Sequence, residues 1–384
     1  MRKLAVVQTS SKKVMVPIIK IVGDFCNLRC AYCFYNTLDQ QTPHVMSEEL
    51  QERFIREYLE LFQGRVQFIW HGGEPLLAGM KFFERSLTFQ QKYRKDHEIQ
   101  NVVQTNATLA NDAWAAFFAE HKFKVGISLD GDRISHDRFR TRRNESGSFD
   151  AVMRGISHLR AHGIQPGFIQ TLTAANAARA SEDFTFFANV LKAKSWGTSE
   201  YLDVVNINRR MLNETMGNKE LTEYLKAFID LWFEMDDPNI RHREIDNYFA
   251  GIVGRCASSC THSGTCSAYF TVEYDGRVFP CDRLANRSEL CYGNLSDTSL
   301  LDVLNSERRL KFAEEVNAVH PDCAACEWQK VCHNGCSHHR KGGLSGKYYY
   351  CETRKAIFPY LREKINAVME GGDTNANGNT AAEG

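Results

Sequence analysis

The sequence predicts an α/β fold, a partial (β/α)6 barrel followed by a small cysteine-rich module. Three observations carry that reading. Strand-like apolar runs alternate with amphipathic helical runs from about residue 16 to 207, and repeated β–α units build a mostly parallel sheet with helices outside. Ten of the 13 cysteines lie between Cys256 and Cys351. The chain has 384 residues, long for one compact domain but suited to a barrel with an added module.

The elements follow in order. VPIIKIVG (16–23) reads as a buried strand ending at Gly23 and Asp24, just before the first cysteine group. Ser47, with Glu48 and Glu49, marks the start of an amphipathic helix to about Phe62. VQFIW (66–70) is the next strand, broken by Gly72 and Gly73. Strands NVVQT (101–105), KVGISL (124–129), GFIQTL (167–172) and YLDVVNI (201–207) then alternate with helices from about Asp112, from Ser148 to Ala161, and near 182–193. Sites in such folds lie at the C-terminal ends of the strands, where Cys26, His71, Gln104 and Asp130 all fall.

An aromatic-rich helix (220–235) precedes AYFTVEYDGRVFPCDR, whose Asp275-Gly276 turn between alternating strands signals a hairpin. The end, GGDTNANGNTAAEG, has no periodicity and is expected to be disordered. The expected segments are an N-terminal extension (1–15), the barrel (16–240), the cysteine-rich module (241–365) and a disordered tail (366–384).

Composition narrows the function. Hydrophobic residues make up 43% and charged residues 24%, and Lys plus Arg and Asp plus Glu both total 47. Without a basic field, nucleic acid is not expected as a partner. No apolar run approaches a membrane span and no export signal is read, so no membrane association and a cytoplasmic location are expected. Thirteen cysteines in such a chain point to metal ligation rather than disulfides.

CNLRCAYC sets Cys26, Cys30 and Cys33 in a C-x3-C-x2-C pattern, three thiolates where a closed zinc or four-iron site wants four. A four-iron cluster so held leaves one iron free to bind the amino and carboxylate groups of S-adenosylmethionine (SAM). An electron can then pass to the sulfonium and release a 5′-deoxyadenosyl radical. The motif, with Tyr32 before its last cysteine, resembles the radical SAM superfamily, whose fold is a TIM-like partial barrel.

The resemblance extends to HGGEP (71–75), where Gly72, Gly73 and Glu74 match the segment contacting the SAM amino group. Ser128 in SLDG and Arg140 match positions where related enzymes place a serine and an arginine on SAM. Gln104 in QTN also matches, on the substrate side. From the residues alone, SLDG reads as well as a strand end with an Asp-Gly turn, and Arg140 as a solvated helix charge.

The late cysteines form C-x5-C-x14-C (Cys260, Cys266, Cys281) and C-x2-C-x5-C-x3-C (Cys323, Cys326, Cys332, Cys336), followed by Cys351. Eight thiolates suffice for two fully ligated clusters. The arrangement resembles the SPASM module of radical SAM enzymes that act on peptides and proteins. That resemblance implies a first auxiliary cluster on Cys260, Cys266, Cys281 and Cys336 and a second on Cys323, Cys326, Cys332 and Cys351, hence three [4Fe–4S] clusters in all. The same C-x2-C, with His333, His338 and His339 nearby, also suits a zinc ribbon. Cys256 and Cys291 are left over and read as small buried thiols.

From about residue 18 to 360 the chain resembles the anaerobic sulfatase-maturating enzymes. That resemblance makes Asp282, directly after Cys281, a general base for the substrate side chain; the second reading of Asp282 is as a turn cap or a partner of Arg283. The chain departs from the family at His71, Leu76 and Ala107, where glutamine, threonine and glycine are usual. His71 brings a group able to titrate beside the SAM site and is a second catalytic candidate.

The expected function is therefore a radical SAM oxidoreductase acting on a peptide or protein substrate, fed by an external electron donor such as flavodoxin or ferredoxin. Oxidation or crosslinking of a ribosomally made precursor peptide is the first expectation, though no leader-binding domain is read before the barrel. Formylglycine formation in a sulfatase is the alternative. A zinc-binding interaction module without catalysis is a third reading, from another class.

Overall fold

β1 (Val16–Lys20), α1 (Glu48–Leu61), β2 (Arg65–His71), α2 (Met80–Tyr93), β3 (Glu98–Thr105), α3 (Asp112–Glu120) and β4 (Lys124–Ser128) form the first parallel steps of the barrel. α4 (Arg133–Phe139), α5 (Phe149–Ala161), β5 (Gly167–Leu172), α6 (Ala180–Thr185) and β6 (Ser195–Glu200) complete it. The structure is a computed structural model, and it describes residues 14–33, 44–202, 212–285 and 287–376.

Local chemistry starts the helices where the sequence indicates. The Ser47 hydroxyl accepts from the Leu50 amide at 3.2 Å to cap α1, and Asn111 accepts from Trp114 to cap α3. α4 is not foreseen by the periodicity: seven residues are too few to show it. Asp132, just past the Asp130-Gly131 turn, caps this helix by accepting from the Ser135 amide.

The sixth strand lies at 195–200, ahead of the expected 201–207. Its sequence, SWGTSE, has little apolar content, yet it pairs with β5 from Phe168↔Trp196 to Leu172↔Glu200, and the buried Trp196 stacks on Phe187. Residues 203–207 of the expected strand lie outside the described residues.

The two-residue period of the strands sorts their side chains. In β2, Phe68 and Trp70 turn outward against Phe54 of α1 and Phe82 and Phe83 of α2, while Ile69 and His71 face the interior cavity. The same alternation in β1 sends Ile18 and Lys20 inward. The core is thus the aromatic layer between sheet and helices, and the inner face of the barrel mixes apolar side chains such as Ile18 and Ile69 with polar ones such as Lys20 and His71.

α7 (Asn218–Met235), β7 (Arg241–His242), α8 (Arg243–Ile252) and α9 (Cys260–Ser263) lead to the hairpin of β8 (Tyr269–Glu273) and β9 (Arg277–Phe279), which forms as expected. β10 (Gly293–Asn294), α10 (Leu300–Leu304), α11 (Glu307–Asn317), α12 (Pro321–Ala324) and α13 (Gln329–Cys332) follow. The ribbon of β11 (Arg340–Lys341) and β12 (Lys347–Tyr348) and the long α14 (Cys351–Ala376) end the chain's described part. Strand β8 runs parallel to β1, from Val16↔Tyr269 to Lys20↔Glu273. One ten-stranded sheet results, in the order β10-β9-β8-β1-β2-β3-β4-β5-β6-β7, and it crosses the boundary expected at residue 240.

Two expectations need correction. Residues 366–376 continue α14 and are not a disordered tail: Ile357, Phe358, Leu361 and Ile365 anchor its earlier turns, and Ala367, Met369 and Glu370 are good helix formers that extend it. Residues 377–384, like 1–13 of the expected extension, lie outside the described residues. Cys256 is exposed, not buried, whereas Cys291 is half-buried.

Candidate active site and cluster sites

The inward side chains of β1 to β6 surround a cavity of about 550 Å³, within the range of cofactor and substrate pockets. Cys26, Cys30, Tyr32, Cys33, His71, Gly72, Gly73, Gln104, Ser128, Arg140 and Asp282 all line it. Eleven of the expected site residues thus come together from six separate chain segments.

The end of β2 holds the cysteine loop. The Gly73 amide donates to Gly23 O at 2.7 Å and the Glu74 amide to Phe25 O at 2.9 Å. A Cβ on Gly73 would stand 2.0 Å from Phe25 O, so only glycine allows this contact with the residue before Cys26. From the other side, the Arg29 amide donates to Thr141 O and the Ala31 amide to Phe139 O. Glu74 is fully buried behind the glycines, and its oxygens accept from the Leu76 and Asn106 amides and the Thr105 hydroxyl. Its carboxylate does not line the cavity, unlike the backbone of Gly72 and Gly73.

The donor set suits an iron cluster. Burial pushes the Cys30 thiol up to about 12, with Arg140 opposing the shift and Cys33 adding to it; burial likewise raises Cys26. Thiolates are therefore stable there only beside a positive centre, which iron supplies. The Leu28 amide points at Cys26 Sγ from 3.4 Å and Asn106 Nδ2 from 3.7 Å, polarising the sulfur.

Arg140 is no solvated charge. It is buried, forks onto Asp130 through Nε at 2.9 Å and Nη2 at 3.1 Å, and lies 5.3 Å from the Tyr32 ring centre. The Tyr32 hydroxyl donates to the same carboxylate, so Asp130 fixes both side chains. Gln104 donates to the Ser128 hydroxyl at 3.1 Å, a polar pair on the cavity wall.

His71 and Lys20 are register partners on adjacent strands, and Lys20 Nζ stands 3.4 Å from His71 Nδ1 and 3.3 Å from Gly72 O. Burial, reinforced by the Lys20 charge and opposed by Asp282, lowers the His71 pKa to about 4. At neutral pH the ring is neutral, and Nδ1 accepts the Gly72 amide at 2.9 Å, which leaves Nε2 to carry the proton. Asp282 faces the same cavity, while the adjacent Arg283 guanidinium bonds Ser199 Oγ and approaches Cys336 Sγ at 3.8 Å and His339 Nε2 at 3.3 Å. Lys20, Arg283 and His338 also line the cavity; sequence reasoning missed Lys20, weighed Arg283 only as a partner of Asp282, and weighed His338 only for zinc. The signal available for Lys20 was a lone lysine inside an apolar strand.

The late thiols gather in two places. The charges that act most on Cys281 are those of Asp282, Cys266, Cys336 and Cys260, and Ser337 Oγ lies 3.1 Å from Cys266 Sγ. Cys323, Cys326, Cys332 and Cys351 line one separate small cavity. The two groups match the crossed sets implied by the SPASM resemblance.

Comparisons with known proteins agree with this geometry. Residues 20–174 match the model of the radical SAM superfamily and residues 260–327 that of an iron–sulfur cluster-binding domain, SPASM. A cysteine-type anaerobic sulfatase-maturating enzyme of Clostridium perfringens is 30% identical over 362 residues, covering 91% of this chain and 96% of its own. The chain belongs to the radical SAM family of anaerobic sulfatase-maturating enzymes. A serine-type sulfatase-maturating enzyme of Bacteroides thetaiotaomicron is 28% identical, covering 91% of this chain and 90% of its own. The solved structure of native anSMEcpe with bound AdoMet and Cp18Cys peptide superimposes with a TM-score of 0.84 at 28% identity, covering 93% of this chain and 99% of that one.

As a member of the family, the protein is a radical SAM enzyme acting on a peptide or protein substrate. It uses SAM with a four-iron cluster and binds auxiliary iron–sulfur clusters. This sets aside the zinc-ribbon alternative. Among the described residues no helix is long and apolar enough to cross a membrane.

Proposed function

We propose that the protein oxidises the side chain of a cysteine or serine in a sulfatase-type protein substrate to formylglycine. The observation that carries the reading is the likeness to a sulfatase-maturating enzyme over nearly its whole length, joined to a cavity shared by the three loop cysteines and Asp282. When bound, SAM and the cluster on Cys26, Cys30 and Cys33 supply the radical that removes a hydrogen atom from the substrate carbon, and auxiliary clusters on the two late groups supply a sink for the electron that follows.

The chain's own residues do the rest. Asp282 takes the proton of the substrate thiol or hydroxyl, so that loss of one hydrogen atom, one proton and one electron leaves a C=S or C=O double bond. Water then converts the thioaldehyde to the aldehyde, releasing sulfide. Gly72 and Gly73 offer backbone to the SAM amino group, and Ser128 and the Asp130-braced Arg140 orient SAM. Gln104 and the neutral His71 border the substrate. A cytosolic flavodoxin or ferredoxin fits as the reductant, and residues 16–240 and 241–365 serve as barrel and auxiliary module within one sheet.

The test is anaerobic incubation of reconstituted protein with SAM, a reductant and sulfatase-derived peptides carrying cysteine or serine at the target position. Aldehyde formation, seen by mass spectrometry and hydrazine trapping, is expected. SAM cleavage without aldehyde on either peptide would favour the precursor-peptide reading, to which His71 in place of glutamine gives support.

A further inference from the structure

Arg354, on the first turn of α14 three residues after Cys351, is 3% exposed. Nη1 donates to Cys332 O at 2.8 Å and approaches Cys332 Sγ at 3.5 Å. Both Nη1 and Nη2 donate to Thr261 O at 3.1 Å, and Thr261 directly follows Cys260. The guanidinium carbon lies 4.6 Å from the Tyr348 ring centre. One planar cation therefore joins a cysteine of the second late group to the segment carrying a cysteine of the first.

None of its hydrogen bonds reaches a carboxylate among the described residues, and Nε has no partner. A guanidinium cannot shed its proton at any working pH, and the Glu200 carboxyl, which feels its charge, makes no hydrogen bond to it. The side-chain group its N–H approaches is the Cys332 sulfur; a four-iron cluster on four thiolates is an anion, and its reduced form is more negative by one charge. A buried cation with an N–H aimed at a ligand sulfur therefore favours the reduced form and raises the potential. Arg340, also buried but held by the carbonyls of Asn334, Val316 and Leu344, sends no bond to a thiol.

We propose that Arg354 is a redox-positioning residue that links the two auxiliary-cluster sites and holds the cluster on Cys323, Cys326, Cys332 and Cys351 at a raised potential. It thereby draws the electron taken from the substrate outward, away from the cavity. The proposal rests on the ligand sets given above. It adds to them a role for a residue that touches neither SAM nor substrate.

The experiment is reductive titration of the full-length reconstituted protein, followed by electron paramagnetic resonance, for wild type, Arg354→Gln and Arg354→Lys. With iron and sulfide unchanged, Arg354→Gln should lower the reduced-to-oxidised ratio of the second auxiliary cluster at fixed poise at least tenfold, about 59 mV for one electron. Arg354→Lys keeps the charge but loses the fork, and should shift the same signal less. The SAM-binding cluster's midpoint should not move. An unchanged midpoint in the glutamine variant overturns the proposal, as does loss of the second cluster in both variants, which makes Arg354 a structural clamp. If only the glutamine variant loses iron, an unchanged midpoint in the lysine variant overturns it. Full iron retention in a Cys323→Ala, Cys326→Ala variant would instead sink the ligand reading itself.

Discussion

Asp282 and Ala107 show how much one side chain can decide. Asp282→Asn keeps the shape of the side chain beside Cys281 but removes its basic oxygen. The variant should still release 5′-deoxyadenosine from SAM and still exchange hydrogen with a labelled substrate, while aldehyde product falls by roughly 10² to 10⁴, the usual loss with a general base. Wild-type yield would reduce Asp282 to a structural role.

Ala107 holds φ at +58° while fully buried, a conformation that costs an L-residue about 1–2 kcal/mol and explains why glycine is usual there. Ala107→Gly should raise stability by about 0.5–1 kcal/mol, after the entropy glycine adds to the unfolded chain; a urea midpoint measures it. The departure at 107 was visible in the sequence, but its strain was not, because φ leaves no mark on composition. His71 was visible too, but its neutrality was not, because it comes first from burial and then from Lys20, which the register of β1 and β2 sets beside it.

Among elements, the strands that alternate cleanly, β1 to β5, were legible because their period also defines the cavity wall. α4 and β6 were not: α4 is too short for periodicity, and SWGTSE derives its pairing from β5 rather than from its own composition. The end of β2 carries a further expectation. Gly73→Ala forces a methyl into the backbone of the cysteine loop, so about four of about twelve irons should be lost, together with SAM cleavage. The auxiliary cluster signals should survive. Iron analysis with low-temperature spectra checks this, and full iron content with wild-type SAM cleavage would show that the loop can yield. The Cys26→Ala, Cys30→Ala, Cys33→Ala variant should give the same spectrum without moving any backbone.

For the whole molecule, burial sets the response to acid. It lowers His136 and His242 to about 4 from an ordinary 6.5, so the unfolded chain binds protons that the native one does not. Their contribution is complete above pH 6.5 and is lost as pH falls towards 4, at about 1.4 kcal/mol per unit for each. Glu74, Asp183 and Glu273, raised to about 7 by burial, work the other way, losing stability as pH rises through that window. His242→Asn, which preserves the helix cap, should remove one histidine's share of the acid slope in a series of urea midpoints.

The pairing of β8 with β1 was not legible, because a parallel ladder leaves no local trace when its strands lie about 250 residues apart. It also sets a timetable for the nascent chain. β1 leaves the ribosome among the first residues, but its outer neighbour emerges only after two thirds of the protein has been made. Until then, one edge of an apolar parallel sheet stands open, the kind of surface that recruits other chains. A chain ending after residue 255 keeps β1 to β7 and the whole SAM-binding loop, yet should be recovered in aggregates rather than as a smaller enzyme. The auxiliary module is thus a late-arriving lid on the folding of the barrel as well as a store of thiols.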